Sequence, residues 1–406
     1  MSGMIPLKIA RFNSDAFRFP PSRAPAFPCR IQFKASWQRD SFPATRANTG
    51  VFRSFRRGRY ALAEAYRLAG LTHETALLAP AYHCLTMLDG AVNLGADILL
   101  YPLRPDLSVD LDELDKLVRN YSRPVRVLLA THFFGILQDF RDIRQWCEAH
   151  DIVLVEDCSH ALFTEEFQTR GAGVLGKYVV SSPYKFIACE DGGLLYAREG
   201  HLLNDVSTHH PSLTEELRGL KHVIDNHWAD RTMPHGVDEI NGQIASFSDL
   251  REPPADVEIV QYDRPSYSFS AANRTKSALR FSEWLIRHSP LAENARQRRA
   301  NFLHWVEAVE GLPHCRALYG NLPEECVPYM FPLYLDHPDP HFNWLKRLGV
   351  PLCRWNNLVV SSCPVSDQYR LHLLHLPCHQ SLSEEQMAWM IAAVQAVMRQ
   401  PLPEEC

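Results

Sequence analysis

The sequence predicts an α/β fold built on a mostly parallel sheet covered by helices. Two observations carry this. Short apolar runs recur at 76–79, 98–101, 125–131, 152–155, 178–181 and 193–196, and strands apolar on both faces belong to a sheet buried on both. Helical patterns at 58–69, 86–94, 111–118 and 140–150 lie between them, and such alternation is the sequence form of a helix-covered sheet. The first helix shows its period directly, because Leu62, Ala65, Tyr66 and Ala69 repeat at i, i+3, i+4 and i+7 on one face.

The flanking regions read differently. Residues 1–50 are rich in Pro, Arg, Phe and Ser without a sustained period, which predicts an irregular N-terminal arm. Residues 200–265 carry His209-His210-Pro211, Pro234 and Pro253-Pro254 and read as a connector with one or two short helices. A long helical pattern over 271–310 follows, then a strand at 329–335 and a helix at 342–348. A final helix over 383–398 has Ser383 at its start and Glu385-Gln386 behind it, a capping arrangement. Helices and strands without regular alternation predict a second, smaller α+β domain. The expected division is therefore an arm at 1–50, a large domain at 51–250 and a small domain at 251–406. Within the small domain, Arg296-Gln-Arg-Arg299 reads as a solvated helix face, and Trp284 and Trp305 as packing residues.

Composition narrows the function classes. The chain has 406 residues and a net charge of −5, so no basic field points to nucleic acid. No apolar run approaches the ~20 residues of a membrane span, and the N-terminus lacks the apolar stretch of a secretory leader. Eleven cysteines without a CxxC pair read as reduced thiols of a cytoplasmic enzyme. Histidine spacings such as His209-His210 and His375-x-x-x-His379 make no HExxH motif, and no metal site is expected.

The chemistry concentrates at two strand ends. The run Ile152–Val155 leads into Glu156-Asp157-Cys158-Ser159-His160, placing Asp157 at the carboxyl edge of the sheet, where α/β proteins bind ligands. Val179-Val180-Ser181-Ser182-Pro183-Tyr184-Lys185 then puts a lysine beyond a second strand end, ahead of Glu190-Asp191-Gly192-Gly193. An acid, a lysine and hydroxyls converging on one crevice suit pyridoxal phosphate (PLP). The acid keeps the pyridine nitrogen protonated, the lysine forms the Schiff base and hydroxyls take the phosphate. The same residues also fit a surface Asp and Lys at unrelated loop ends.

Longer segments carry a resemblance. PAYHCLTMLDGAVNLGADILLYPL (80–103), THFFGILQDFRDIRQWCEAHDIVLVEDCSHA (131–161) and SSPYKFIACEDGG (181–193) resemble the DegT/StrS-type sugar aminotransferases, PLP enzymes of fold type I in the aspartate aminotransferase superfamily. LHLPCHQSLSEEQM (374–387) is similar to that family's LPLHPGLTEE segment. The likeness covers roughly 57–200 and 340–400. It implies that Lys185 is the Schiff-base lysine and proton shuttle, that Asp157 partners the pyridine nitrogen, and that His160 lies beside the cofactor ring. It further implies a homodimer with sites at the subunit boundary.

Departures from the family pattern are equally visible. The family serine lies five residues before the lysine, a place held here by Val180, so Ser181 or Ser182 would take the phosphate. Arg57-Gly58-Arg59 replaces Ser-Gly-Thr; the helix-start amides at Gly58 remain, and Arg59 would add a charge-assisted contact. Cys84 stands where the family stacks an aromatic on the cofactor ring, with Tyr82 or His83 as substitutes. In place of the family's Asn-Tyr-Arg-Met-Ser-Glu, Asn273 and Arg274 are the nearest phosphate and substrate contacts. The resemblance implies amino transfer from an amino acid such as glutamate to a keto sugar carried on a nucleotide. Lys185 favours transamination over the family's dehydratases, which replace that lysine with histidine. The departures leave two further readings: transamination of a non-sugar ketone or aldehyde, and a non-catalytic paralogue that kept the fold for binding.

Overall fold

The computed structural model describes residues 7–12, 29–33, 51–162, 164, 172–230, 232–247, 257–355 and 357–402. Its first strands are β1 (Lys8–Phe12), β2 (Phe52–Phe55), β3 (Ala76–Pro80), β4 (Asp97–Tyr101) and β5 (Val125–Thr131). Then come β6 (Val153–Cys158), β7 (Tyr178–Ser181), β8 (Gly193–Ala197) and β9 (Val257–Gln261). The last are β10 (Cys315–Ala317), β11 (Met330–Leu335), β12 (Leu358–Val359) and β13 (Leu373–Pro377).

Seven strands form the large sheet in the order β2-β8-β7-β6-β5-β3-β4. The pairs from β4 through β7 are parallel, whereas β8 runs antiparallel to both β7 and β2. Alternation along each strand sends neighbouring residues to opposite faces. Leu77, Val127, Val155 and Val180 pack on one face with Leu62, Ala65 and Tyr66 of helix α1 (Gly58–Leu68). Leu78, Leu128 and Leu154 pack on the other with Leu114, Ile143 and Trp146 of the helices Leu111–Arg119 and Arg141–Ala149. The mostly parallel, helix-covered sheet expected from the sequence is therefore the fold. β8 passes close beneath the start of α1: a Cβ on Gly193 would lie 2.4 Å from the Arg57 carbonyl carbon, so only glycine fits there.

A second, antiparallel sheet has the order β10-β11-β13. The helices Leu291–Val309, Pro338–Leu348 and Glu384–Met398 pack on it through Trp305, Trp344 and Trp389. Ile240 and Ile244, from the helix Ile240–Phe247, join this core, while Val260 and Phe269 pack against the core of the large sheet. The connecting region thus crosses between the two cores.

Several expectations need correction. Most of residues 1–50 lie outside the described residues, but 8–12 form β1, which pairs with β9 and β12 in a third antiparallel sheet. No long period marked this strand, because its partners lie about 250 and 350 residues away. The pattern over 271–310 divides into a turn at Ala271–Asn273 and the helices Arg280–His288 and Leu291–Val309. The break falls at Ser289-Pro290, where Ser289 is extended at ψ 144, as a residue before proline prefers. The connector holds a 15-residue helix, Leu213–His227, closed by a capping box between Ser212 and Glu215. Finally, the Arg296–Arg299 face is not uniformly solvated, since Arg298 is 1% exposed.

Trp305 is fully buried, and its indole N–H donates to the Pro377 carbonyl at 3.0 Å. Trp305→Ala is expected to cost about 3–5 kcal/mol in denaturant melts. Trp284→Ala, at a site 39% exposed, is expected to cost much less.

Candidate active site

The ends of β5, β6 and β7, the start of α1 and the edge of the second sheet enclose a cavity of about 230 Å³. Gly58, Arg59, Asp157, Ser159, His160, Ser182 and Lys185 line one part of it. Phe134, Tyr329, Met330, Cys353, Trp355 and His375 line another.

The two carboxylates ending β6 face opposite ways because they are sequence neighbours in a strand. Glu156 turns away from the cavity. It meets the His132 ring at 3.0 Å and accepts the amides of Gly173, Leu175 and Gly176, pinning the segment that leads into β7. Asp157 turns toward the cavity, 2% exposed, and accepts one backbone N–H, from Ser159 at 2.8 Å. A buried carboxylate with so few donors invites a cationic or N–H-bearing ligand. His132, Glu156 and Cys158 also make the one compact His–carboxylate–thiol group among the described residues. His132 Nδ1 already accepts the Gln138 N–H, so its Nε2 carries the proton given to Glu156, and the group reads as a structural hydrogen-bond cluster.

Lys185 sits in the short turn Pro183–Lys185 directly after β7. Its Nζ lies 5.6 Å from the centre of the Tyr329 ring, and no carboxylate pairs with it among the described residues. His160 Nδ1 accepts the Phe134 N–H at 3.3 Å, which leaves the proton on Nε2. Burial, together with Lys185 and His375 nearby, holds His160 well below the usual histidine range and keeps it neutral. Phe134 sits in the left-handed region at φ 57, and its carbonyl accepts the Tyr329 N–H at 2.8 Å. Such unfavourable backbone geometry persists where its surroundings enforce it. Here it ties His160 to the second sheet.

The start of α1 forms the polar end. No side chain caps its first turn, so its free amides are available to an anion. Ser182 donates to Ser159 Oγ at 3.0 Å. A Cβ on Gly58 would fall 2.2 Å from Ser182 Oγ and 3.2 Å from Ser159 Oγ. The bare glycine therefore keeps open a cradle of two hydroxyls and helix-start amides. Arg59 lines the same end and donates to the Ser268 carbonyl at 2.6 Å. Thr131 adds a buried hydroxyl without a partner at the cavity wall. A lysine without a carboxylate, a sparsely bonded acid and a phosphate-sized cradle fit PLP.

Not every residue singled out in the sequence reaches this cavity. Tyr82 is buried under Phe133, Trp355 and Tyr369, with its hydroxyl 3.0 Å from His375 Nε2. His83 is buried and accepts the Val359 N–H. Of that trio, only Cys84 lines the cavity. Ser181 points to the other face of β7 from Val180 and stays buried without a partner, whereas Ser182, past the strand end, does line it. Asn273 and Arg274, at the end of their turn, do not line the cavity within one chain. Ser159, Thr131, Phe134, Tyr329, Trp355 and His375 also line the cavity, although the sequence assigned none of them to a cofactor site. Ser159 had a signal, since it follows Asp157 by two residues, but the residues of the second sheet had none.

Comparison with known proteins bears on the fold and on part of the chain. Residues 54–218 match the DegT/DnrJ/EryC1/StrS aminotransferase family. GDP-perosamine synthase of Vibrio cholerae is 22% identical over 150 residues, 36% of this chain and 40% of that protein. Thus the match spans well under half of that curated relative. The structure of Helicobacter pylori PseC, an aminotransferase of pseudoaminic acid biosynthesis, superposes with a TM-score of 0.59 at 14% identity, covering 89% of this chain and 93% of that one. That of NtdA from Bacillus subtilis, solved with the cofactor PMP, gives 0.58 at 15% identity over 86% and 73% of the two chains. The resemblance read from the sequence is thereby supported over residues 54–218, the stretch that holds both Asp157 and Lys185.

Two predictions follow from the packing. Gly58→Val is expected to abolish PLP uptake, read as loss of the cofactor's visible absorbance, while the apoprotein still melts cooperatively. The second concerns pH. Burial lowers His375 to about 3 and His83 to about 4, below the ~6.5 of an unfolded histidine. The unfolded chain therefore binds more protons than the folded one below pH ~6.5, and stability falls as pH drops through that range toward the folded values. Melting temperature should decline between about pH 6.5 and 5; a flat profile there would contradict the neutral, buried assignment.

Proposed function

We propose that the protein is a PLP-dependent aminotransferase that moves an amino group from an amino-acid donor, glutamate foremost, to the keto group of a nucleotide-linked sugar. The observation that carries the reading is the pairing of Asp157 and Lys185 at adjacent strand ends of one cavity. PLP, when bound, supplies an electron sink for charge developing at the donor's Cα. The Gly58 amide, Ser159 and Ser182 hydroxyls and Arg59 would bind the phosphate, and Asp157 would hold the ring nitrogen protonated. Lys185 Nζ, without a competing carboxylate, takes and returns the proton moved during transfer. His160, neutral, presents Nε2–H beside the ring, and Phe134, Tyr329 and Trp355 exclude water from that end.

A specific observation keeps a second acceptor class in view. Arg59 and Lys185 are the only cations among the cavity-lining residues, and the wall contributed by the second sheet is aromatic and uncharged. A diphosphate needs more positive charge than that, whereas a small apolar ketone or aldehyde does not.

The chain is also inferred to act as a cytoplasmic homodimer, with Asn273 and Arg274 completing the partner's site. Helix Leu213–His227 and the next residue expose Leu213, Leu217, Ile224 and Trp228, the last 78% exposed; such apolar stripes mark association surfaces. The described cysteines form no disulfide with one another, an arrangement that a reducing compartment would preserve.

Asp157→Asn is expected to lower the rate of the donor half-reaction about 10²-fold or more with PLP still bound. An acceptor panel of nucleotide-linked keto sugars and simple ketones, assayed with the wild-type protein, decides between the two classes. Turnover of ketones alone would overturn the sugar assignment.

A further inference from the structure

Arg298 is only 1% exposed, and it sits on the helix Leu291–Val309, outside the cavity. No carboxylate pairs with it among the described residues. All five of its N–H groups are instead matched by uncharged oxygens. Nε donates to Gln380 Oε1 at 2.7 Å, and Nη1 to the carbonyls of Pro328 and Tyr329 at 3.3 and 3.1 Å. Nη2 donates to the carbonyls of Lys185 and Phe186, both at 3.4 Å. Gln380 Nε2 adds a bond to the Phe186 carbonyl at 2.7 Å. The guanidinium also lies 4.8 Å from the centre of the Phe186 ring.

Burying a charge without a counter-ion costs several kcal/mol unless every donor is met. The acceptors chosen here are not scattered. The four backbone carbonyls belong to two segments only: the turn that carries Lys185, and the stretch that carries Tyr329, whose ring lies near Lys185 Nζ and is tilted 4.6 Å from the His160 ring. The guanidinium fork fixes both backbones in one plane, which an ammonium could not do. Gln380 stands where the LPLHPGLTEE segment resembled by 374–387 has proline, which could not supply that side-chain acceptor.

We propose that Arg298 and Gln380 are positioning residues that set the Lys185 turn against Tyr329, and so fix the reach of Lys185 Nζ into the cavity. The inference rests on the reading of Lys185 as the proton-carrying amine.

The test compares Arg298→Lys and Gln380→Ala with the wild type, as full chains. In the PLP-loaded proteins, single-turnover rates at saturating glutamate should fall about ten- to a hundredfold, as a sub-ångström to ångström displacement produces. The glutamate concentration at half-saturation should stay within about twofold, and the circular dichroism of the bound cofactor's visible band should change. In the apoproteins, backbone amides of residues 184–187 should exchange hydrogen faster while those of β6 do not. Variants with lowered melting temperature but unchanged single-turnover rate and cofactor dichroism would overturn the proposal, leaving the pair as domain glue. Unchanged exchange at 184–187 would overturn it as well, without cofactor. A wild-type protein that takes up no PLP would instead defeat the aminotransferase reading, and the exchange measurement would still decide the hold on the turn.

Discussion

A carboxylate buried at the end of a buried strand sets the terms for this structure. Asp157 is 2% exposed, faces the cavity and accepts a single backbone N–H, few partners for a buried carboxylate. Its sequence neighbour Glu156 shows the alternative, since it is saturated by three amides and an imidazole. One strand thus ends in a carboxylate used for architecture and another kept open for a ligand. The parallel register places the end of β7, and with it Ser182 and Lys185, directly beside the open one.

The second sheet completes what the first begins. Tyr329 and Met330 at the start of β11, His375 in β13, and Cys353 and Trp355 before β12 close the cavity from the opposite side. Their chemistry is aromatic and neutral, in contrast to the hydroxyls and amides at α1. The left-handed Phe134 links the halves, giving its N–H to His160 and its carbonyl to Tyr329. A cavity divided in this way orients a ligand with an anionic end and a planar ring, because each end suits only one part of it.

Much of this was legible in the sequence, and the reason is local periodicity. Runs such as 125–131 and 152–158 declare buried strands, and the order of Asp157, Ser182 and Lys185 along adjacent strands fixes their meeting at one sheet edge. Where position depends on distant partners, the sequence was silent. β1 has no signal apart from partners near residues 260 and 359. Tyr82 and His83 looked available to the cofactor, yet the chain beyond β3 turns them into the seam between the sheets. Arg298 looked like part of a charged surface face, because helical spacing alone cannot reveal that carbonyls from two other segments converge on it.

On the proposed function, Asp157 and Lys185 form a PLP site despite the altered helix-start and serine positions. The most direct measurement is borohydride reduction of the PLP-incubated protein followed by peptide mapping. A visible cofactor band, bleached by glutamate, and a single reduced adduct on Lys185 are expected. No band, with Lys185 unmodified, would contradict it and favour a chain that kept the fold for binding alone.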